Sequence, residues 1–381
     1  MGTWDRAVVA ASERERIHAK NRTFFGDVAF RFTRKFTAVF GLILIVLLLL
    51  FAFVGPLISP YSYTTQSLEF ANVPPRLDLI AFGDSYYYIT SSLKVIEVSP
   101  DGKLLRSLPK KGEDAIKRTM KFAVSDDQII ELAYRAKPPA FVVDGKSVET
   151  ARRTVWNRSF LLGSDGLGRD LLTRLMYGSR ISLIVAFVAT LVNMTIGILY
   201  GGISGFAGGM VDQVMMRVVD IISTIPLTLY VILIKVTLDN GFVSIVAALS
   251  SVYWVEMARV VRGQVLSLRQ QEFVLAAKTL GSGTRTILLR HLIPNAMGPI
   301  LVTVTMLIPS AIFIEAFLSF IGIGIAPPMA SLGTMCNDAM EALRSNPYQL
   351  FLPAVVICLI MFAFNFVGDG MRDALDPKLK K

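Results

Sequence analysis

The chain has 381 residues, 53% of them hydrophobic and 18% charged, with a formal net charge of +10. Its mean hydropathy of +0.55 excludes an ordinary soluble domain, in which about a quarter of residues carry charge. Much of the positive excess flanks apolar runs, where basic residues set membrane topology, so it is not read as a nucleic-acid surface.

Residues 1–35 carry Arg6, Arg14, Arg16, Lys20, Arg22, Arg31, Arg34 and Lys35, a bias that predicts a cytoplasmic N-terminal tail. The tail is longer than a usual signal n-region and no small-residue cleavage site follows, so a retained signal anchor is expected. The first transmembrane helix is placed at 36–60. Residues 36–55, 181–206, 241–255, 295–314 and 347–368 contain no Asp, Glu, Lys or Arg. About 20 apolar residues cross about 30 Å of hydrocarbon, so each run reads as a span. A weaker run between Asp220 and Lys235 becomes long enough only over 214–238. Six spans with both termini cytoplasmic put 56–180 and 322–346 outside and 256–294 inside. The last segment carries Arg259, Arg262, Arg269, Lys278, Arg285 and Arg290 against Glu256 and Glu272, in agreement with that orientation. Arg169, Arg174 and Arg180, close to the outer surface, go against it.

Residues 61–156 differ in composition. Short aromatic and β-branched runs at 86–89, 95–98 and 141–143 alternate with turn signals at Pro100-Asp101-Gly102-Lys103 and Asp144-Gly145-Lys146. An external strand-rich domain with a modest core is expected. At 157–180, Leu171, Leu172, Leu175 and Met176 share one helical face. That predicts an external amphipathic helix or an extension of span 2. A helical membrane core then covers 181–370 and a cytoplasmic tail 371–381. Gly197, Gly201, Gly202 and Gly205 form a stripe for close helix packing. Cys336 and Cys358 lack metal spacing and read as unpaired packing residues. His18 and His291 are far apart, which argues against a metal cluster.

The segment 271–294, QEFVLAAKTLGSGTRTILLRHLIP, is polar, basic and helix-forming, and lies between two apolar runs. A helix–turn–helix there suits docking on a partner. Ala276 and Ala277 allow close approach, and Gly281 and Gly283 permit the sharp turn. Arg285 and Arg290 keep the second helix soluble and can reach acidic groups. Pro294 suits a first-turn position, where its missing N–H costs little. The spacing Ala276-Ala277-x-x-x-Gly281 with Ile293-Pro294 resembles the EAA loop of ABC-transporter membrane subunits.

Further ordered segments extend the likeness over about 30–60 and 160–380. They are 163–170 (GSDGLGRD), 177–183 (YGSRISL), 208–212 (GGMVD) with 216–220 (MRVVD) and Pro226, 258–263 (ARVVRG), 290–295 (RHLIPN), 315–322 (EAFLSFIG), Pro327-Pro328 and 368–377 (GDGMRDALDP). Together they resemble the C-type permease of oligopeptide and dipeptide ABC transporters. The resemblance implies an all-α polytopic membrane protein, with six transmembrane helices of the type I ABC importer permease fold; it says nothing of the inserted external strand-rich domain at 61–156, which is much longer than the short external loop expected. It implies import of short peptides across a bacterial inner membrane. The partners would be a second related permease, two cytoplasmic ATPases that bind the ATP and Mg, an external peptide-binding protein and membrane lipids. Glu272, Ala276, Ala277, Gly281, Gly283, Arg285, Arg290, His291 and Pro294 would make the ATPase-coupling loop. Leu275 replaces the glutamate that names the motif, with Glu272 about one turn earlier. Arg217, Asp220 and Pro226 would lie at the inner gate, Arg217 and Asp220 pairing on one face. Glu315, with Ser319, would line the path, pair across the subunit interface or take a local partner.

The sequence has no G-x-x-x-x-G-K-[ST] phosphate loop, since Gly281-Ser282-Gly283-Thr284 lacks the lysine, and no nucleophile–base constellation. A non-catalytic subunit without its own cofactor is expected. Nickel chelates or glutathione are alternative cargoes. A membrane sensor would need a larger cytoplasmic domain, and a secondary transporter would need ion-coupling acids, for which only Glu315 is available.

Overall fold

The computed structural model describes residues 24–124, 129–135, 140–143, 146–147, 151–238 and 241–375. The basic residues before Phe24, the Asp144-Gly145 turn and the C-terminal lysines lie outside the described residues. Helix α1 (Phe24–Arg34) carries an Arg31–Asp27 ion pair at 2.8 Å. Lys35 is extended and separates it from α2 (Phe36–Phe53), which continues to Ile58 as a 23-residue apolar stretch. Helix α3 (Leu171–Ala207) has 37 residues, about 55 Å at 1.5 Å per residue, so it outreaches the hydrocarbon. The separate amphipathic helix expected within 157–180 is therefore the first turns of α3. Asp170 caps it by accepting from the Thr173 N–H at 2.7 Å, which satisfies an end group that would otherwise be orphaned.

The stretch expected as one span at 214–238 is two helices, α4 (Gly209–Thr224) and α5 (Leu227–Thr237), meeting at 84°. Pro226 stands at the elbow in an extended conformation; it cannot donate to the preceding turn, so the helix stops. Then come α6 (Gly241–Val252), α7 (Trp254–Leu268), α8 (Glu272–Thr279), α9 (Met297–Phe320), α10 (Leu332–Asp338) and α11 (Tyr348–Leu375). Among the described residues five helical segments are long and apolar enough to cross a membrane: α2, α3, α6 with α7, α9 and α11.

The helices pack around two apolar cores. One joins Leu48 and Ala52 of α2, Leu175 and Leu183 of α3, Ile312 of α9, Met335 of α10 and Ile360 of α11. The other joins Met257, Val261 and Val265 of α7 to Val274, Ile287, Leu288 and Ile300. The glycine stripe serves the α3–α7 contact. An added Cβ would lie 2.5 Å from Met257 Cβ at Gly197 and 2.9 Å from the Arg262 carbonyl at Gly205, and would run into the Ala258 carbonyl at Gly201.

Between α2 and α3 the chain forms two antiparallel five-stranded sheets. The first has β1 (Arg76–Phe82), β2 (Ser85–Ile89), β3 (Val95–Val98), β4 (Leu104–Ser107) and β10 (Arg152–Trp156), in the order β10-β1-β2-β3-β4. The second is a meander of β5 (Lys110–Asp114), β6 (Thr119–Ala123), β7 (Ile129–Ala133), β8 (Ala140–Val143) and β9 (Lys146–Ser147). Ile80, Tyr87, Val95, Phe122, Leu132 and Phe141 form one shared core. Leu77, Leu79, Ile96 and Val98 pack beneath, on Val73 and Phe160. Period-2 alternation puts Leu79 and Ile80 on opposite faces, so the first sheet is covered on both sides.

The two ends of the helical bundle differ. At one, Lys35 pairs with Asp373 and the α3 terminus meets the α7 terminus through Arg269. At the other, Gly55 abuts Met176, and Tyr348 Oη donates to the Val73 carbonyl at 3.1 Å, fastening α11 to the base of the strand domain.

Candidate functional site

The hairpin after α7 is built on a buried seam. Val274 and Ala277 of α8 pack against Ile287, Leu288 and Leu292 of the returning segment. Helix α8 ends in a Schellman arrangement: the Ser282 N–H donates to the Ala277 carbonyl (3.0 Å) and the Gly281 N–H to the Lys278 carbonyl (2.9 Å). Gly281 has φ +78°, a conformation that costs a side-chain-bearing residue about 1–2 kcal/mol. Gly283 has φ −69°, which any residue adopts, so only Gly281 is needed for the turn. Ala276 faces outward, whereas Ala277 is an internal contact of the hairpin. A π-helical turn (Ile287–Leu292) lies just before Pro294, an i→i+5 irregularity placed where the proline, lacking an N–H, interrupts the ordinary helical ladder. The outward surface carries Phe273, Leu275, Leu289 and Leu280, the last 85% exposed, with Glu272, Arg285 and Arg290 also exposed and His291 half-buried. Lys278 lies 5.4 Å over the Phe206 ring.

Beside the hairpin, Asp212 of α4 accepts from Arg262 Nε (2.5 Å) and Nη2 (2.6 Å) of α7 and from Ser204 Oγ (2.5 Å) of α3. Asp220 does not pair with Arg217, as its i,i+3 spacing predicted. Arg259 reaches it at 3.1 Å and also contacts Ser223 Oγ, while Arg217 is exposed. The tertiary partner prevails because α7 crosses α4 there.

At the strand-domain end, Asp165 Oδ2 accepts from Arg169 Nε (2.7 Å) and from Arg174 Nη1. Asp338 Oδ2 lies 3.3 Å from Arg169 Nη2 and 3.1 Å from Arg174 Nη2. Asp165, Arg169 and Asp338 wall a cleft of about 550 Å³ that also takes in Gln66, Pro327 and Glu341. Burial pushes the Asp170 carboxyl up, although its two hydrogen bonds from Thr173 oppose that. Glu315 is fully buried. It accepts from Ser182 Oγ (2.6 Å) and Ser319 Oγ (2.8 Å), so it neither lines open space nor awaits a partner across an interface. Ser319 is buried with it. Lys235 does not simply snorkel: its Nζ donates to the Gly322 and Gly324 carbonyls at 3.4 and 3.3 Å.

Comparison with known proteins fits this geometry. The profile of the family described as "Binding-protein-dependent transport system inner membrane component" matches residues 194–381, and "N-terminal TM domain of oligopeptide transport permease C" matches residues 23–75. The oligopeptide transport system permease protein OppC of Bacillus subtilis (strain 168) is 37% identical over 378 residues, covering 99% of this chain and 97% of that protein. The chain belongs to this permease family. The dipeptide permease DppC of the same organism is 49% identical over 220 residues, 58% of this chain and 69% of its own length. OppC of Escherichia coli (strain K12) is 44% identical over 216 residues, 57% of this chain and 72% of its own length.

The permease is thus a membrane-integral, non-catalytic subunit of an ABC importer, a system that works with ATPase and substrate-binding partners. Three features escape a reading of its sequence: the Asp212–Arg262 pair, the Asp165/Arg169/Arg174/Asp338 cluster and the Ser182–Glu315 bond. Each Asp, Glu or Arg in them is an ionisable residue in or beside an apolar segment, where an unpaired charge is costly. That cost was the available signal that each had a partner.

Proposed function

We propose that this permease pairs with a second related permease to import short peptides, powered by two cytoplasmic ATPases that bind ATP and Mg, and fed by an external peptide-binding protein. The observation that carries the reading is the hairpin. It presents Phe273, Leu275, Leu280 and Leu289 to the outside on a buried base, at the bundle end opposite the strand domain. Exposed apolar groups on a rigid seat suit a groove in a partner. The bent pair α4–α5 counts as the sixth span, with both termini cytoplasmic and the strand domain external, where it docks the binding protein or shields the mouth. Residues 271–294 take up ATPase movement, and the elbow at Pro226 serves as the inner gate.

Co-purification of the ATPases tests the docking role. Leu280→Asp and Ala276→Trp, both on the outward face, are expected to abolish it while leaving membrane insertion intact. Normal co-purification with both variants would count decisively against it. Uptake of labelled di- to pentapeptides by the reconstituted complex tests the cargo.

A further inference from the structure

We infer that the Asp212–Arg262 ion pair is the latch through which the hairpin drives α4; the inference rests on the ATPase-docking reading above. Helix α4 is poorly held by apolar packing. Of its 16 residues only Asp212 and Val219 are buried. Val219 sits against Trp254, Val255 and Ala258 at the start of α7. Both ends of α4 are breaks. At its start, Gly208 (φ +68°) and Gly209 (φ +55°) are consecutive left-handed residues, a joint open to few residue types other than glycine. At its end is the 84° elbow. Such a segment is a lever that swings with whatever grips it.

The grip comes from α7. Arg262 holds both carboxylate oxygens of Asp212, the bidentate fork that fixes direction as well as distance. Ser204, across the glycine joint, donates to the same carboxylate. Arg259 adds a second, more exposed tie to Asp220. Seven residues beyond Arg262, Arg269 ends α7 and donates to the Gly205 carbonyl at 3.1 Å; the hairpin begins at once with Glu272. Helix α7 therefore connects the docking surface to the lever, and the bidentate bond to the buried Asp212 carboxylate is the most directional of its holds, beside the exposed Asp220 tie and the Val219 packing. Asp212 and Arg262 are positioning residues, touching neither cargo nor nucleotide.

The test uses the full complex, with both permeases, the ATPases and the binding protein, in proteoliposomes. Arg262→Gln is expected to leave ATP hydrolysis within about twofold of wild type and to lower uptake per ATP by tenfold or more. Arg262→Lys, which keeps the charge and loses the fork, should fall between, and the exchange Asp212→Arg with Arg262→Asp should recover part of the loss. A cargo-independent readout is the distance between spin labels at Met210 on α4 and the exposed Gln270 at the end of α7, just ahead of the hairpin and outside its docking surface, in a background with Cys336 and Cys358 replaced by Ser. The latch requires this distance to be the same in nucleotide-free and ATP-trapped wild type, and to differ between those states in Arg262→Gln. A wild-type distance that changes on trapping overturns the inference. So does an Arg262→Gln variant with wild-type distances and uptake per ATP. Absence of peptide uptake by wild type counts against the cargo reading, and the label distances still decide the latch.

Discussion

Replacing Asp165 tests how the strand-domain end of the bundle is held. Its Oδ1 accepts from the Leu167 and Arg169 N–H groups, both at 2.9 Å, while Oδ2 takes Arg169 and Arg174. The Asp165, Arg169 and Arg174 side chains are 6%, 10% and 4% exposed, whereas that of Asp338 is 44% exposed. Asp165→Ala leaves two buried guanidinium groups sharing one solvent-screened carboxylate. Breaking a buried pair by removing one partner costs about 3–5 kcal/mol, and two N–H groups lose their acceptor as well. Asp165→Asn keeps an acceptor for those N–H groups but turns an amide NH2, itself a donor, toward the two guanidinium groups, so both charge-assisted bonds are lost while the N–H bonds survive. Asp338→Ala removes a screened partner, at about 1 kcal/mol or less. The assay is the midpoint of thermal unfolding of the assembled permease in lipid nanodiscs, with the ordering of midpoints read because a multi-span protein need not unfold in two states. The expected order is wild type, Asp338→Ala, Asp165→Asn, Asp165→Ala. An Asp338→Ala midpoint as low as that of Asp165→Ala, or an Asp165→Ala midpoint equal to wild type, refutes the reasoning.

Gly201→Ala should cost about 1–3 kcal/mol as an overpacked helix contact, since the methyl would meet the Ala258 carbonyl. Gly298→Ala, where nothing lies within 4 Å, should be neutral or slightly stabilising, and equal midpoints for the two variants would contradict the assignment. Glu315→Leu strands the hydroxyls of Ser182 and Ser319, at about 2 kcal/mol or more, whereas Glu315→Gln keeps an acceptor for one hydroxyl and offers the other an amide donor; comparable losses of folded yield would contradict this. Burial pushes the Cys336 thiol up to about 11. In a Cys358→Ser background, maleimide at neutral pH should therefore label it on the order of a hundredfold more slowly than a free thiol. Labelling as fast as in the denatured protein would show the site to be open.

Local features were legible in the sequence and distant pairings were not. Charge-free runs marked the long apolar helices because crossing hydrocarbon is a demand on consecutive residues. Strand β3 stands where the run at 95–98 placed it, and the hairpin contains the Gly281 turn. Strand β5, Lys-Lys-Gly-Glu-Asp, escaped because it has no apolar alternation; its pairing with β6, not its side chains, makes it a strand. The elbow at Pro226 escaped because hydropathy averages over a bend. In the site, Asp220 was assigned to Arg217 three residues away, yet its partner is 39 residues distant. Arg174 and Asp338 are 164 apart. Such partners follow from helix packing, which no single segment encodes.

The basic residues near the strand-domain end run against the positive-inside bias, which counts Lys and Arg beside the spans and is not a net-charge rule, although long translocated segments largely escape it. Arg169 and Arg174 are compensated by Asp165 and Asp338 in the folded chain, and Arg180 lies 5.4 Å over the Phe53 ring. At the hairpin end the balance differs. Arg262 is held by Asp212, Arg259 by Asp220 and Lys35 by Asp373, but Arg217, Arg285 and Arg290 are exposed. Arg269 spends its donors on backbone carbonyls, and Lys278 faces a ring; none of these five is in an ion pair among the described residues. The excess of uncompensated cations in the helical part therefore collects around the hairpin. An ATPase on the cytoplasmic side would meet that positive surface, so topology and docking call for the same distribution of charge.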